Sequence, residues 1–117
     1  MKPTQESTHM GRSPAEQRVS RRIPVSAPAV LKWADEQMTG YVEQVNLAGM
    51  YVAVPRVPGL GDYVDLIFSL PNNPRSFRVR ASVVHADMEE GRAGFGARFE
   101  RPPHGFLEAI RDLDKGH

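Results

Sequence analysis

From Ile23 onward the chain is written in short alternating runs. Between Ile23 and Trp33, the residues Val25, Ala27, Ala29, Leu31 and Trp33 fall on one face, the period of a strand with one buried side. Pro24 and Pro28 place this strand at an edge or bend it near its start. Asp35 to Gly40 reads as a turn cluster, Tyr41 to Leu47 as a second strand and Met50 to Val54 as a third, with Ala48-Gly49 joining them tightly. Pro55 to Gly61 holds two prolines and two glycines and is a loop. Asp62 to Leu70 alternates again, and Pro71-Asn72-Asn73-Pro74 marks a turn. Ser76 to Ala86 sets Phe77, Val79, Ala81 and Val83 inward against Arg78, Arg80 and Ser82 outward, the pattern of an antiparallel strand with one wet face. Glu89-Glu90-Gly91-Arg92 is a hairpin loop and Gly94 to Phe99 a last strand.

After Pro102-Pro103 the period changes. Phe106, Ile110 and Leu113 recur at helical spacing with Leu107 beside them, so His104 to Leu113 is a helix with Pro103 at its start. These elements predict a mainly β fold: a small six-stranded antiparallel barrel closed by a C-terminal helix. Met1 to Gln17 is polar, with Pro3 and Pro14 among Ser and Thr. It is expected to be a flexible tail, leaving residues 18–117 as the single domain.

Composition narrows the function. The chain has 117 residues, 40% hydrophobic and 25% charged, enough for one modest core. Its formal net charge of +1 gives no broad basic field, so DNA and RNA are not expected partners. A single-strand binder would also need aromatic platforms in a basic groove, whereas the aromatics here fall mostly on inward positions. There is no cysteine, which excludes disulfides, thiolate catalysis and cysteine-ligated zinc, and fits a cytoplasmic location. No apolar run approaches the roughly 18 residues of a membrane span, and Met1 to Gln17 lacks the apolar stretch of a secretory signal. Strand edges permit a monomer or a weak dimer.

No arrangement of residues points to catalysis. His9, His85, His104 and His117 share no metal-ligand spacing and read as surface histidines. Asp62, Asp65, Asp87, Glu89 and Glu90 read as solvated-face charges. No nucleophile elbow, P-loop or dinucleotide fingerprint is present. The chain is therefore expected to be a binding module with no cofactor, not an enzyme.

Two segments carry possible binding chemistry. Arg18-Val19-Ser20-Arg21-Arg22 places two arginines four residues apart ahead of the first strand. Guanidinium groups fit phosphate in a bidentate way, match the O6 and N7 acceptors of guanine and stack on purines. Taken alone, the segment reads first as a solubilising cluster at a domain edge. Asn46-Leu47-Ala48-Gly49-Met50-Tyr51-Val52 makes a tight strand-to-strand turn. The Asn46 amide oxygen could accept from guanine N1–H and N2–H, and alone it reads simply as a turn residue.

Together the two segments resemble the PilZ family of bacterial cyclic di-GMP receptors. Arg18 and Arg22 fill the family's R-x-x-x-R motif, with Ile23-Pro24-Val25 following. Asn46 and Gly49-Met50-Tyr51-Val52 match the two ends of its second motif, commonly N-L-S-x-G-G-hydrophobic-F-V. Gly94-Phe95-Gly96-Ala97-Arg98-Phe99 resembles its G-x-G-V-x-F strand. The second motif is two residues short here and Ala48 stands where Ser is usual. Val19 sits where many members carry a further Arg. The resemblance covers about residues 18 to 114 and implies a PilZ-type barrel that binds cyclic di-GMP and acts through a bacterial effector protein. It implies Arg18, Arg22 and, less centrally, Arg21 as contacts for phosphate and guanine, and Asn46, Ala48 and Gly49 as the turn at the base edge. The alternative is a degenerate member that binds only protein.

Overall fold

The computed structural model describes residues 22–71 and 73–115. Six strands run in chain order: β1 Ile23–Trp33, β2 Glu36–Val45, β3 Gly49–Ala53, β4 Tyr63–Ser69, β5 Ser76–Glu89 and β6 Arg92–Phe99, followed by α1 Phe106–Lys115. They close into a barrel in the spatial order β1-β2-β3-β6-β5-β4, with β4 returning to β1. Every neighbouring pair is antiparallel. This is the six-stranded barrel with a C-terminal helix that the alternating runs predict.

The inward positions make one core, with Leu31, Val42, Val52, Leu66, Ala81 and Phe95 fully enclosed. Phe106, at the start of α1, plugs one end of the barrel. Its ring meets Phe68, Phe77 and Phe99 edge-on at centroid distances of 5.9, 5.4 and 5.4 Å, the favoured arrangement of aromatic quadrupoles. Ala109, Ile110 and Leu113 follow it into the core. The helix starts two residues later than His104 because Gly105, at φ 82°, turns the chain before it.

Two boundaries and one burial differ from the sequence pattern. The stretch from Asp35 to Gly40 is mostly strand: β1 and β2 pair from Trp33↔Glu36 onward, and the turn is Ala34-Asp35 alone. Ala34 takes φ 57°, a left-handed conformation normally signalled by Gly or Asn, so no turn signal stands at the true position. The last hairpin is longer than expected, with β5 reaching Glu89 and β6 starting at Arg92. Trp33, expected inward, is only half-buried, and its Nε1–H donates to Asp62 Oδ2 at 2.9 Å. Asp62 also accepts from the Gly59 amide at 2.9 Å, which makes it a loop anchor and not a solvated-face charge.

Candidate functional site

The outer face of β2, β3, β6 and β5 brings together the residues singled out in the sequence that the structure describes: Arg22, Asn46, Ala48 and Gly49. Two rows of outward residues cross these strands. One runs Gln44–Tyr51–Gly96–His85 and the next runs Gly49–Arg98–Ser82. Between and around them lies an open depression of about 220 Å³ whose lining includes Arg22, Gln44, Asn46, Gly49, Tyr51, His85, Gly96 and Arg98. Gly96 gives it a bare floor: a β-carbon there would meet only the His85 β-carbon, at 3.4 Å.

Strict alternation along the strands does not put Gln44 or His85 on this face. β-Bulges do. The register of β2 shifts between Val42 and Gln44, leaving both Glu43 and Gln44 exposed. The register of β5 shifts between Val83 and His85, turning both Val84 and His85 outward. Bulges add one residue to a strand and re-aim the side chains beyond it. Here the two flank the same row, one at each end.

The Asn46–Gly49 turn borders the depression. The Asn46 amide donates to the Gly49 carbonyl at 2.9 Å. Asn46 Oδ1 accepts from the amides of Ala48 and Gly49 at 2.8 and 2.9 Å. No residue between them has positive φ, so this hairpin lacks the backbone conformations of the usual two-residue turns and is closed instead by the asparagine side chain. The oxygen expected at a base edge thus engages the turn itself, filling both of its lone pairs. Gly49 has no room for a side chain, since a β-carbon would collide with the Ala97 carbonyl oxygen.

Of the three arginines singled out in the sequence, Arg22 is exposed at the mouth of the depression, where its Nη1 donates to Gln44 Oε1 at 3.2 Å. Arg18 and Arg21 lie outside the described residues. Arg98, absent from the sequence-based set, is brought to the site by its pairing with Gly49.

Next to the depression, Tyr51 lies over β6, above Gly94, where a β-carbon would come within 2.6 Å of its hydroxyl oxygen. The hydroxyl donates to Asp87 Oδ2 at 2.8 Å. His85 Nε2 stands 3.0 Å from Asp87 Oδ1, and Arg92 Nε 3.7 Å from Oδ2. The Arg92 guanidinium also covers the Tyr51 ring at 5.3 Å. The hydrogen bond from Tyr51, with His85 and Arg92 nearby, holds the Asp87 carboxyl below the usual carboxylate range despite partial desolvation. Burial first, and then the bond to Asp87, push the Tyr51 phenol up. Asp87 is thus a half-buried hub and not the solvated charge expected from the sequence.

The family model for the PilZ domain matches residues 16–113. The chain belongs to the PilZ family. A search of curated proteins finds no match to this PilZ domain, but solved structures share its fold. The PilZ domain of CeSA from a cellulose-synthesizing bacterium is 19% identical, with TM-score 0.59 over 83% of this chain and 97% of that one. The Bacillus subtilis inhibitor of motility, MotI/DgrA, is 14% identical, with TM-score 0.70 over 81% of this chain and 48% of that one. The Borreliella burgdorferi PlzA protein, solved in complex with c-di-GMP, is 14% identical, with TM-score 0.61 over 93% of this chain and 43% of that one. This PilZ domain therefore spans about half or less of the length of the last two. Among its described residues, no helix is long and apolar enough to cross a membrane.

Proposed function

We propose that this PilZ domain, residues 18–117, is a cytoplasmic receptor for cyclic di-GMP that works by binding, without catalysis or a cofactor, and passes the signal to a protein partner. The observation that carries this reading is the convergence of Arg22, Arg98 and the Asn46–Gly49 turn around one depression with a glycine floor. The arginines supply bidentate donors for phosphate and guanine. The bare backbone at Gly96 lets a planar base approach closely. Asn46, Ala48 and Gly49 shape the wall beside it, and Arg18 and Arg21 would add contacts from the preceding segment. Family membership supports the ligand class, and the c-di-GMP complex of PlzA is a fold relative that holds it. The inhibitor of motility, another fold relative, is in keeping with action through a protein. The domain is taken to work as a monomer or weak dimer, without DNA or RNA.

The shortened turn favours a second reading, a PilZ domain that binds only protein, because Asn46 Oδ1 serves the turn. Calorimetric titration with cyclic di-GMP separates the two. The receptor reading expects saturable binding that weakens in Arg22→Ala with an unchanged melting temperature and that weakens with added salt. Heat-silent titrations, confirmed by equilibrium dialysis, would leave the protein-only reading.

A further inference from the structure

Asp87 determines which nitrogen of His85 carries a proton. Tyr51 donates its hydroxyl to Asp87 Oδ2 at 2.8 Å, and His85 Nε2 lies 3.0 Å from the other oxygen, Oδ1. The carboxylate is ionised at neutral pH and can only accept. His85 Nε2 must therefore be the donor. In the neutral ring Nδ1 is then an unprotonated acceptor. The β5 bulge turns this ring outward to line the depression, across the Gly96 floor from Gln44.

We propose that His85, with its tautomer fixed by Asp87, is a specificity-determining contact that accepts a hydrogen bond at Nδ1 from the donor edge of guanine. The inference rests on the receptor reading above and adds to it the group that selects the base. Guanine presents N1–H and N2–H on its pairing edge, whereas adenine presents an unprotonated N1 that would face the His85 lone pair. Of the other side-chain acceptors at the depression, Asn46 Oδ1 is used by its own turn and Gln44 Oε1 already accepts from Arg22. Asp87 acts through His85 and is a positioning residue.

Asp87→Asn separates this from a structural role. With the Tyr51 hydroxyl donating to the amide oxygen, the amide nitrogen turns to His85 and donates to Nε2. The ring must then carry its proton on Nδ1, and the acceptor becomes a donor, as when a carboxylate orienting a catalytic histidine is changed to an amide. Nitrogen-15 NMR of the histidine rings reads the tautomer directly. Calorimetry with cyclic di-GMP and cyclic di-AMP reads the preference.

The expected result is an Nε2–H tautomer for His85 in the wild-type chain and Nδ1–H in Asp87→Asn. The guanine-over-adenine preference should fall about 3- to 10-fold in that variant, the size of one hydrogen bond. His85→Ala, which leaves Asp87 and Tyr51 bonded, should lose the preference to a similar extent, so the test stands even if Asp87→Asn folds poorly. An Nδ1–H tautomer in the wild-type chain would overturn the inference. So would an unchanged preference in His85→Ala with cyclic di-GMP still bound. Binding of neither dinucleotide by the wild-type chain would overturn the receptor reading, and this inference with it.

Discussion

Tyr51 and Asp87 are joined across an intervening strand. Tyr51 sits on β3 and Asp87 on β5, and the phenol reaches over β6 to donate at 2.8 Å. The bond ties the wall of the depression to the hairpin that carries His85.

Replacing Tyr51 by Phe should lower the melting temperature by a few degrees at neutral pH, and the difference should vanish at both pH extremes. Asp87 is held below its ordinary value. Its contribution is complete above the unfolded carboxyl value of about 3.9 and is lost as pH falls through the folded value. Tyr51 is pushed up. Its contribution is complete below the unfolded phenol value of about 10 and is lost as pH rises through the folded value. Thermal melts of both proteins, carried from neutral pH to well below about 3.9 and well above about 10, check this. A constant difference across that range would show that the hydroxyl contributes only through packing.

Gly94 leaves space for the Tyr51 ring. Gly94→Ala places a methyl group 2.6 Å from the hydroxyl oxygen and 2.7 Å from the Val52 carbonyl oxygen. The strand backbone cannot yield easily, so the variant should lose about 1–3 kcal/mol in a denaturant melt. A neutral result would mean that the ring moves freely off β6.

At the β2–β3 turn, Asn46→Ala removes an acceptor shared by two amides and should cost about 0.5–1.5 kcal/mol. Asn46→Asp keeps the Oδ1 acceptor for both amides and should melt close to wild type. Equal losses in the two variants would show that the turn does not depend on the side-chain oxygen.

Much of the barrel was legible from the sequence because burial imposes a period on each strand, and Ser76 to Val83 keeps that period faithfully. The helix was legible for the same reason, through Phe106, Ile110 and Leu113. The site was only half legible. Arg22, Asn46 and Gly49 stand in motifs that can be read linearly, and they border one depression. Gln44, His85 and Arg98 could not be found that way. Period-two counting from Val83 puts His85 in the core and counting from Val42 puts Gln44 there, and the bulges reverse both. Arg98 had the right outward parity, but only the β3–β6 pairing brings it beside Gly49. Asp87 looked like a solvated charge because its partners Tyr51 and Arg92 come from other strands. Trp33 shows the converse: a large aromatic on the inward face that stops half-buried because its indole N–H has Asp62 to reach.

The central claim is that cyclic di-GMP binds on the glycine-floored face between the Asn46–Gly49 turn and His85. Amide nitrogen–proton NMR spectra of the labelled chain, recorded while cyclic di-GMP is added, test both binding and place. The largest shifts are expected at Gln44, Gly49, His85, Gly96 and Arg98, with α1 and the β1–β2 turn unmoved. Shifts concentrated on α1 or on the outer face of β1 and β4, or a spectrum unchanged at saturating nucleotide, would contradict the account.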